Sequence, residues 1–140
     1  TYSGGTAINS SVISVQQIGN TGSPGPLGTG GTIGIGNGTT NITGTAQPTL
    51  RYTGPGETTN RVISLTATTG GARIEASGTG LLRFTSNVVA TGAGAKTFFL
   101  SGTGAGELAG VVPNNSATNT TAISKTGTGT WTLSAANTYT

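Results

Sequence analysis

The chain has 140 residues, of which 26 are Gly, and only 6% are charged, giving a formal net charge of +3. The absence of Cys and His excludes zinc, haem and iron–sulfur ligation and any nucleophile that an imidazole base activates. Asp is also absent, which excludes a calcium loop of clustered carboxylates, so we expect no metal and no cofactor. The basic residues are scattered and no apolar run approaches the length of a membrane helix, so we expect neither nucleic-acid binding nor membrane insertion.

The high glycine content resembles that of disordered chains, but disorder usually comes with high charge and few β-branched residues. Here charge is scarce, and Thr, Val and Ile are abundant. Gly or Pro interrupts nearly every window that could form a helix. The composition therefore predicts an all-β structure whose backbone hydrogen bonds are satisfied internally.

Short runs in which apolar and polar residues alternate predict strands with one buried face. Each run covers four to eight residues and is bounded by Gly, Asn or Ser. The residues that share a predicted buried face are, in chain order, Ile63, Leu65 and Ala67; Ile74 and Ala76; Leu82 and Phe84; Phe98 and Leu100; and Trp131 and Leu133.

A Gly-x-Gly triplet recurs at intervals of 24 to 26 residues, which suggests one coil of a stacked β-structure per interval. We interpret the first glycine of each triplet as a coil corner, where Gly adopts a positive φ at little cost. The predicted corner glycines are Gly28, Gly54, Gly78, Gly102 and Gly127. The regular recurrence favours a β-solenoid of about five to six coils over an antiparallel sandwich, which also has short strands at regular spacing.

The two ends of the chain carry similar sequences. Thr138-Tyr139 overlays Thr1-Tyr2 with a period of 137 residues, although the whole chain contains only three Tyr. We interpret residues 1–140 as a single solenoid module, one period of a tandem or head-to-tail array. The predicted stacking joint consists of Thr1, Tyr2, Trp131, Leu133, Asn137 and Tyr139.

A longer motif appears when the end of the chain is continued by its beginning. The run Ser124–Thr140 followed by Gly4–Ser10 resembles the autotransporter-associated β-strand repeat, also called the passenger-associated transport repeat. Ala135 departs from the family pattern, which often has Gly at that turn. The interior is similar to the long form of this repeat in very large bacterial surface proteins, through the segments Leu50–Gly54, Gly56–Thr59, Arg61–Ile63 and Ser77–Leu81.

The resemblance implies a right-handed parallel β-helix, exported to the bacterial cell surface or beyond, with a structural or adhesive role. In autotransporters the repeat is linked to folding or transport of the passenger through the outer membrane. We therefore predict a structural repeat of an extracellular fibre or giant surface protein, whose partners are neighbouring copies of the same repeat. Stacking is expected to use backbone pairing between Ser124–Thr140 of one unit and Thr1–Val15 of the next.

The first alternative is an adhesin or glycan-binding passenger that binds surface glycans through the exposed aromatic residues Tyr2, Tyr52 or Trp131. A second is an ice-binding solenoid, which needs a flat Thr array on every coil. The Thr-x-Thr motif is missing from the coils of Gly78 and Gly102, which weighs against ice binding.

The last alternative is a polysaccharide-cleaving enzyme that uses two of the carboxylates of Glu57, Glu75 and Glu107 as an acid–base pair. The simpler interpretation pairs Glu75 with Arg73 and Glu57 with Arg61 as local ion pairs. Because a fold that hosts enzymes does not make every member an enzyme, we expect no catalytic activity.

Overall fold

The computed structural model describes residues 2–36 and 47–140, together with the backbone of residues 41–42. Within these ranges the chain forms strands and no helix. The strands are β1 (Thr6–Ile8), β2 (Val12–Val15), β3 (Thr32–Ile35), β4 (Asn41–Ile42), β5 (Thr49–Tyr52), β6 (Glu57–Thr59), β7 (Val62–Leu65), β8 (Thr69–Ala76), β9 (Leu82–Phe84), β10 (Val89–Ala90), β11 (Lys96–Ser101), β12 (Ala105–Leu108), β13 (Thr121–Lys125) and β14 (Thr130–Leu133).

The strands form three parallel sheets, and each complete coil of the chain adds one strand to each sheet in turn; among the described residues the first coil adds none to the third sheet and the last coil none to the first. The first sheet has the order β1-β3-β7-β10 and the third has the order β6-β9-β12-β14. The second sheet runs β2-β5-β8-β11-β13, and β4 also pairs with β8. Partners in the ladders lie one coil apart, as where Phe84 pairs with Leu108 and Leu108 pairs with Leu133. The predicted β-solenoid is confirmed, with about five coils, and the parallel pairing excludes the antiparallel sandwich.

The core is a column of apolar side chains that stack from coil to coil inside the three sheets. Leu50, Ile74 and Leu100 follow one another in register on the second sheet, and each is at most 1% exposed. Full burial of such a side chain stabilises the fold by roughly 1.5–3 kcal/mol. Except for Trp131 and Leu133 on the last coil, which are half-buried, all residues of the predicted inward faces are buried.

The glycine triplets do not all lie at one corner. Gly54, Gly78, Gly102 and Gly127 stack on one another, since Thr79 donates to the carbonyl of Gly54 (3.0 Å) and Gly129 donates to that of Gly102 (2.9 Å). Gly28 instead lies at the corner before the first sheet, where the amide of Thr29 donates to the carbonyl of Tyr2 (3.0 Å). The predicted interval from Gly28 to Gly54 therefore joins two different corners.

Gly28 and Gly54 lie at different corners because the second coil is longer than the coils that follow it. Val15 pairs with Tyr52, a step of 37 residues, whereas Tyr52 pairs with Ala76, a step of 24. The positive φ expected at these corners occurs at Gly28, Gly102 and Gly127. At the other two, Gly54 and Gly78, glycine is required because an added Cβ would overlap a carbonyl of the neighbouring coil.

Candidate functional site

The residues of the predicted stacking joint that the structure describes lie at the two ends of the solenoid. Tyr2 is 49% exposed on the first coil, and its ring covers Gly28, where an added Cβ would come within 2.6 Å of the ring. Trp131, Leu133 and Tyr139 are half-buried against the last coil of the core. Thr1 lies outside the described residues. A single module thus keeps the two groups apart, one at each end.

The N-terminal end of the solenoid has open strand edges in two of the three sheets. Among the described residues, β1 pairs only with β3, and β2 pairs only with β5. The unpaired edges can therefore accept another strand. The apolar side chains behind them, Ile8 and Val15, are already buried, so this end offers backbone groups more than apolar surface.

The third sheet is closed at this end by a loop. The first coil contributes no strand to it, and Glu57, Thr59 and Asn60 bind the loop through side chains instead. Oε1 of Glu57 accepts the amide of Ile18 (2.6 Å), and the hydroxyl of Thr59 donates to the carbonyl of Gly19 (2.7 Å). These bonds satisfy groups that an open edge would leave unpaired.

Arg61 anchors the same loop from inside the solenoid. Its side chain is fully buried (0% exposed) and donates through Nε to the carbonyl of Gly19 (3.1 Å) and through Nη1 to that of Leu27 (3.0 Å). Further bonds run to the carbonyls of Gly28 and Gly30. The predicted pairing of Arg61 with Glu57 is therefore wrong, because the guanidinium is satisfied by loop carbonyls and the carboxylate by loop amides.

The C-terminal end leaves open edges on the second and third sheets. Among the described residues, β13 pairs only with β11, and β14 only with β12. The chain beyond is held by Asn137, whose Oδ1 accepts the amide of Val112 (2.8 Å). The apolar side chains of Trp131 and Leu133 are half-buried, so this end offers apolar surface as well as backbone groups.

Two aromatic rings fill the space above glycines of the preceding coil. Trp131 pairs with Gly106, and an added Cβ there would come within 2.6 Å of the indole. The indole N–H also donates to the carbonyl of Ser101 (2.9 Å). On the outer face Phe99 lies over Gly71, and the guanidinium of Arg73 stands 5.3 Å from the centroid of its ring. Each glycine thus provides the room for the ring that covers it.

The surface ion pairs join neighbouring coils. Nε of Arg51 lies 2.9 Å from Oε1 of Glu75, and Nε of Arg83 lies 3.0 Å from Oε2 of Glu107. The predicted pairing of Glu75 with Arg73 is therefore wrong. Residues two apart on one strand are about 7 Å apart, whereas partners on adjacent parallel strands are about 4.8 Å apart.

Glu107 also accepts a hydrogen bond from the hydroxyl of Ser134 (2.6 Å). This bond, and with it the charge of Arg83, lowers the pKa of Glu107. A carboxyl whose pKa is lowered on folding stabilises the fold at neutral pH and loses that contribution as the pH falls through the lowered pKa.

We expect Ser134→Ala to bring the acid unfolding of the protein to a higher pH, since the pKa of Glu107 in the folded state would move back toward its ordinary value. The change in stability at neutral pH should be small, because this hydrogen bond lies at the solvent-exposed surface. Tryptophan fluorescence during acid titration measures the midpoint, and Thr130→Ala, at the exposed first residue of β14, is the control. An unchanged midpoint would show that this hydrogen bond does not contribute.

Lys96 is a second buried cation. It is 2% exposed, and Nζ donates to the carbonyls of Ala93 (2.8 Å) and Ala67. Burial lowers the pKa of Lys96, because the charged form loses its hydration. At a pH between the lowered pKa and the ordinary value, the unfolded chain therefore binds more protons than the folded chain.

It follows that the free energy of unfolding should rise with pH through that interval. We expect this rise in the wild-type chain and its loss in Lys96→Met. Urea unfolding between pH 7 and pH 9 measures it, because below the ordinary tyrosine pKa of about 10 Tyr52, whose pKa is raised by burial, keeps its proton in both the folded and the unfolded state. Lys125→Met, at an exposed lysine, should follow the wild-type slope; a wild-type slope in Lys96→Met would contradict the assignment.

The three carboxylates of the predicted enzyme alternative take separate structural partners. Glu57 accepts loop amides, Glu75 is bound by Arg51 and Ser77, and Glu107 is bound by Arg83 and Ser134. Within residues 2–36 and 47–140, no cluster of potential metal ligands is found. No helix that could span a membrane occurs in the same part of the chain. Tyr52, predicted as an exposed aromatic, is 1% exposed.

Comparison with known proteins finds a relative over nearly the whole chain. The adhesin BmaC autotransporter of Brucella suis biovar 1 (strain 1330) is 37% identical over 135 residues, which cover 93% of this chain. The chain spans 4% of the length of that curated relative. No protein-family model matches the sequence, and no solved structure matches it. The resemblance of the chain to repeats of bacterial autotransporter passengers is therefore confirmed, both by this relative and by the parallel β-solenoid that the resemblance implies.

Proposed function

We propose that the chain is a structural segment of a bacterial surface passenger, a length of solenoid that continues by stacking on a neighbouring copy. The observation that carries this proposal is the pair of open ends. Half-buried Trp131 and Leu133 lie at one end, and the unpaired edges of β1 and β2 lie at the other. Unpaired parallel edges are normally blocked in proteins that stay monomeric.

The ends also restrict how stacking would occur. The loop bound by Arg61 closes the third sheet on the N-terminal side, and β13 is the last strand of the second sheet on the C-terminal side. The strand ladder that would continue directly from one copy to the next is therefore that of the second sheet, in which β13 of one copy would pair with β2 of the next. Localisation at the cell surface follows from the proposed passenger role.

A chain of two copies joined at the 137-residue period tests the joint. Leu133→Lys in the first copy would place a charge at the joint, while the same change in the second copy leaves it at the free end. We expect the change in the first copy to lower the free energy of unfolding by about 1–2 kcal/mol more than the change in the second copy. At the joint the leucine would be buried by the next copy, so its replacement loses apolar burial and places a charge where water is excluded. Thr132→Lys, whose side chain is exposed, is the matched control.

Urea unfolding followed by circular dichroism measures the difference. Equal costs for Leu133→Lys in the two copies would mean that the copies do not stack, and would refute the proposal.

A second candidate function is adhesion. It is favoured by the relative, which is an adhesin. Adhesion requires a surface on this chain that contacts a ligand rather than a neighbouring copy.

A further inference from the structure

A pocket of about 400 Å³ opens beside the loop that closes the third sheet. This volume is within the range of small-molecule sites. Its lining is formed by Gln16, Gln17, Tyr52, Pro55, Gly56 and Glu57. The two glutamine side chains are exposed at its margin, whereas Tyr52 is buried beneath it.

The lining keeps hydrogen-bonding capacity that the protein does not use. The hydroxyl of Tyr52 accepts the amide of Gly56 (2.9 Å), and its own proton has no acceptor among the described residues. Oε1 of Glu57 accepts the amides of Ile18 and Gly19 (2.6 and 3.3 Å), which leaves Oε2 without a donor in the same part of the chain. The pocket therefore presents one phenol donor, one carboxylate acceptor and two side-chain amides.

The floor of the pocket is held in place by hydrogen bonds and core packing. Glu57 is held by the two loop amides, and the loop is held in turn by the buried guanidinium of Arg61. Tyr52 is fixed by the core on one side and by Gly56 on the other. A site with a rigid floor loses less conformational entropy when a ligand binds.

The charge of the lining limits the ligand. Glu57 supplies a negative charge, and no Lys or Arg lines the pocket. An anionic ligand would meet an unfavourable carboxylate in a partly desolvated site. A cationic ligand is not needed to compensate the carboxylate of Glu57, because its Oε1 already accepts two N–H groups.

We propose that this pocket binds a neutral saccharide. Neighbouring sugar hydroxyls both donate and accept, which matches the amides of Gln16 and Gln17, the hydroxyl of Tyr52 and the carboxylate of Glu57. Pro55 supplies an apolar wall for the C–H face of a sugar ring. The proposal deepens the adhesin function and does not depend on stacking, so either can fail without the other.

The test is titration of the 140-residue chain with neutral di- to tetrasaccharides of hexose and N-acetylhexosamine, and with sialylated and sulfated counterparts. We expect saturable binding of a neutral probe that weakens at least tenfold in the double variant Gln16→Ala/Gln17→Ala. Glu57→Gln keeps an oxygen for the loop amides and should reduce the preference for neutral over sialylated probes. Thr58→Ala, an exposed neighbour outside the pocket, should bind as the wild type does.

Three outcomes would overturn the proposal. The first is no saturable binding of any neutral probe at millimolar concentration. The second is equal affinity in the wild type and in the double glutamine variant, with both chains shown to be folded by circular dichroism. The third is binding of a lysine-containing peptide probe alone, which would identify the pocket as a cation site on a protein partner.

Discussion

Replacing Arg61 with Met is expected to lower the free energy of unfolding by about 3–5 kcal/mol. The side chain is fully buried and serves four backbone carbonyls of the loop that spans residues 19–31. Methionine fills much of the same space but donates nothing. Each buried carbonyl left without a donor costs roughly 1–3 kcal/mol, and partial opening of the loop to water limits the total.

Arg61→Lys separates charge from geometry. A lysine keeps the positive charge, but its ammonium group has three donors at one point and cannot reach carbonyls on several sides. We expect it to recover less than half of the loss. Chemical denaturation gives the free energies, and amide hydrogen exchange locates the change, which should be largest in residues 19–31 and small in β11 and β12.

Arg51→Met is the matched control for Arg61→Met. Arg51 forms an ion pair with Glu75, but its side chain is 42% exposed, and exposed pairs contribute about 0–1 kcal/mol. If both arginine variants lose the same stability, or if exchange rises evenly along the chain of Arg61→Met, the loop is not anchored by this guanidinium.

The inward faces of the strands could be predicted from the sequence because they obey a local rule. A residue such as Ile74 or Phe98 must be apolar wherever its strand faces the column, so alternation within four to eight residues reveals it. The coil period was also visible, because close contact between coils requires glycine at the same corner in successive coils.

The ion pairs were mispredicted because they were sought within one strand. In a parallel solenoid the nearest outward neighbour of a side chain lies one coil away, not two residues away. Arg51 and Glu75 are 24 residues apart, as are Arg83 and Glu107. Oppositely charged residues that are one coil period apart in the sequence therefore predict ion pairs between coils. The sequence contained this signal, but the search for pairs within one strand missed it.

The loop around Arg61 could not be predicted. The guanidinium of Arg61 binds backbone carbonyls, which every sequence has. Residues 19–31 contain no sequence pattern that predicts a buried cation inside the loop. The pocket beside it depends on the same loop and on Tyr52, which the sequence suggested as an exposed ring and which packs inside the core. A coil that lacks its strand in the third sheet does not produce a recognisable change in the spacing of apolar or glycine residues, so such a departure from the repeat cannot be predicted from the sequence.

Gly78→Ala is expected to lower the free energy of unfolding by about 2–3 kcal/mol, even though the side chain gains only one methyl group. The backbone at Gly78 does not have a positive φ, so conformational strain is not the cause. The new Cβ would overlap the carbonyl oxygen of Gly54 on the neighbouring coil. That carbonyl is fixed by the amide of Thr79 (3.0 Å), so it cannot move away without loss of this hydrogen bond.

The distinguishing control is Gly25→Ala. Gly25 also lacks a positive φ, and a Cβ there meets no atom within 4 Å. Alanine should therefore be neutral or stabilise the chain by about 0.4–1 kcal/mol, because it reduces the entropy of the unfolded state. Urea unfolding compares the two variants directly. Similar effects at Gly78 and Gly25 would mean that the coils can separate freely at the stacked corner, whereas a loss confined to Gly78→Ala would show that contact between coils selects glycine there.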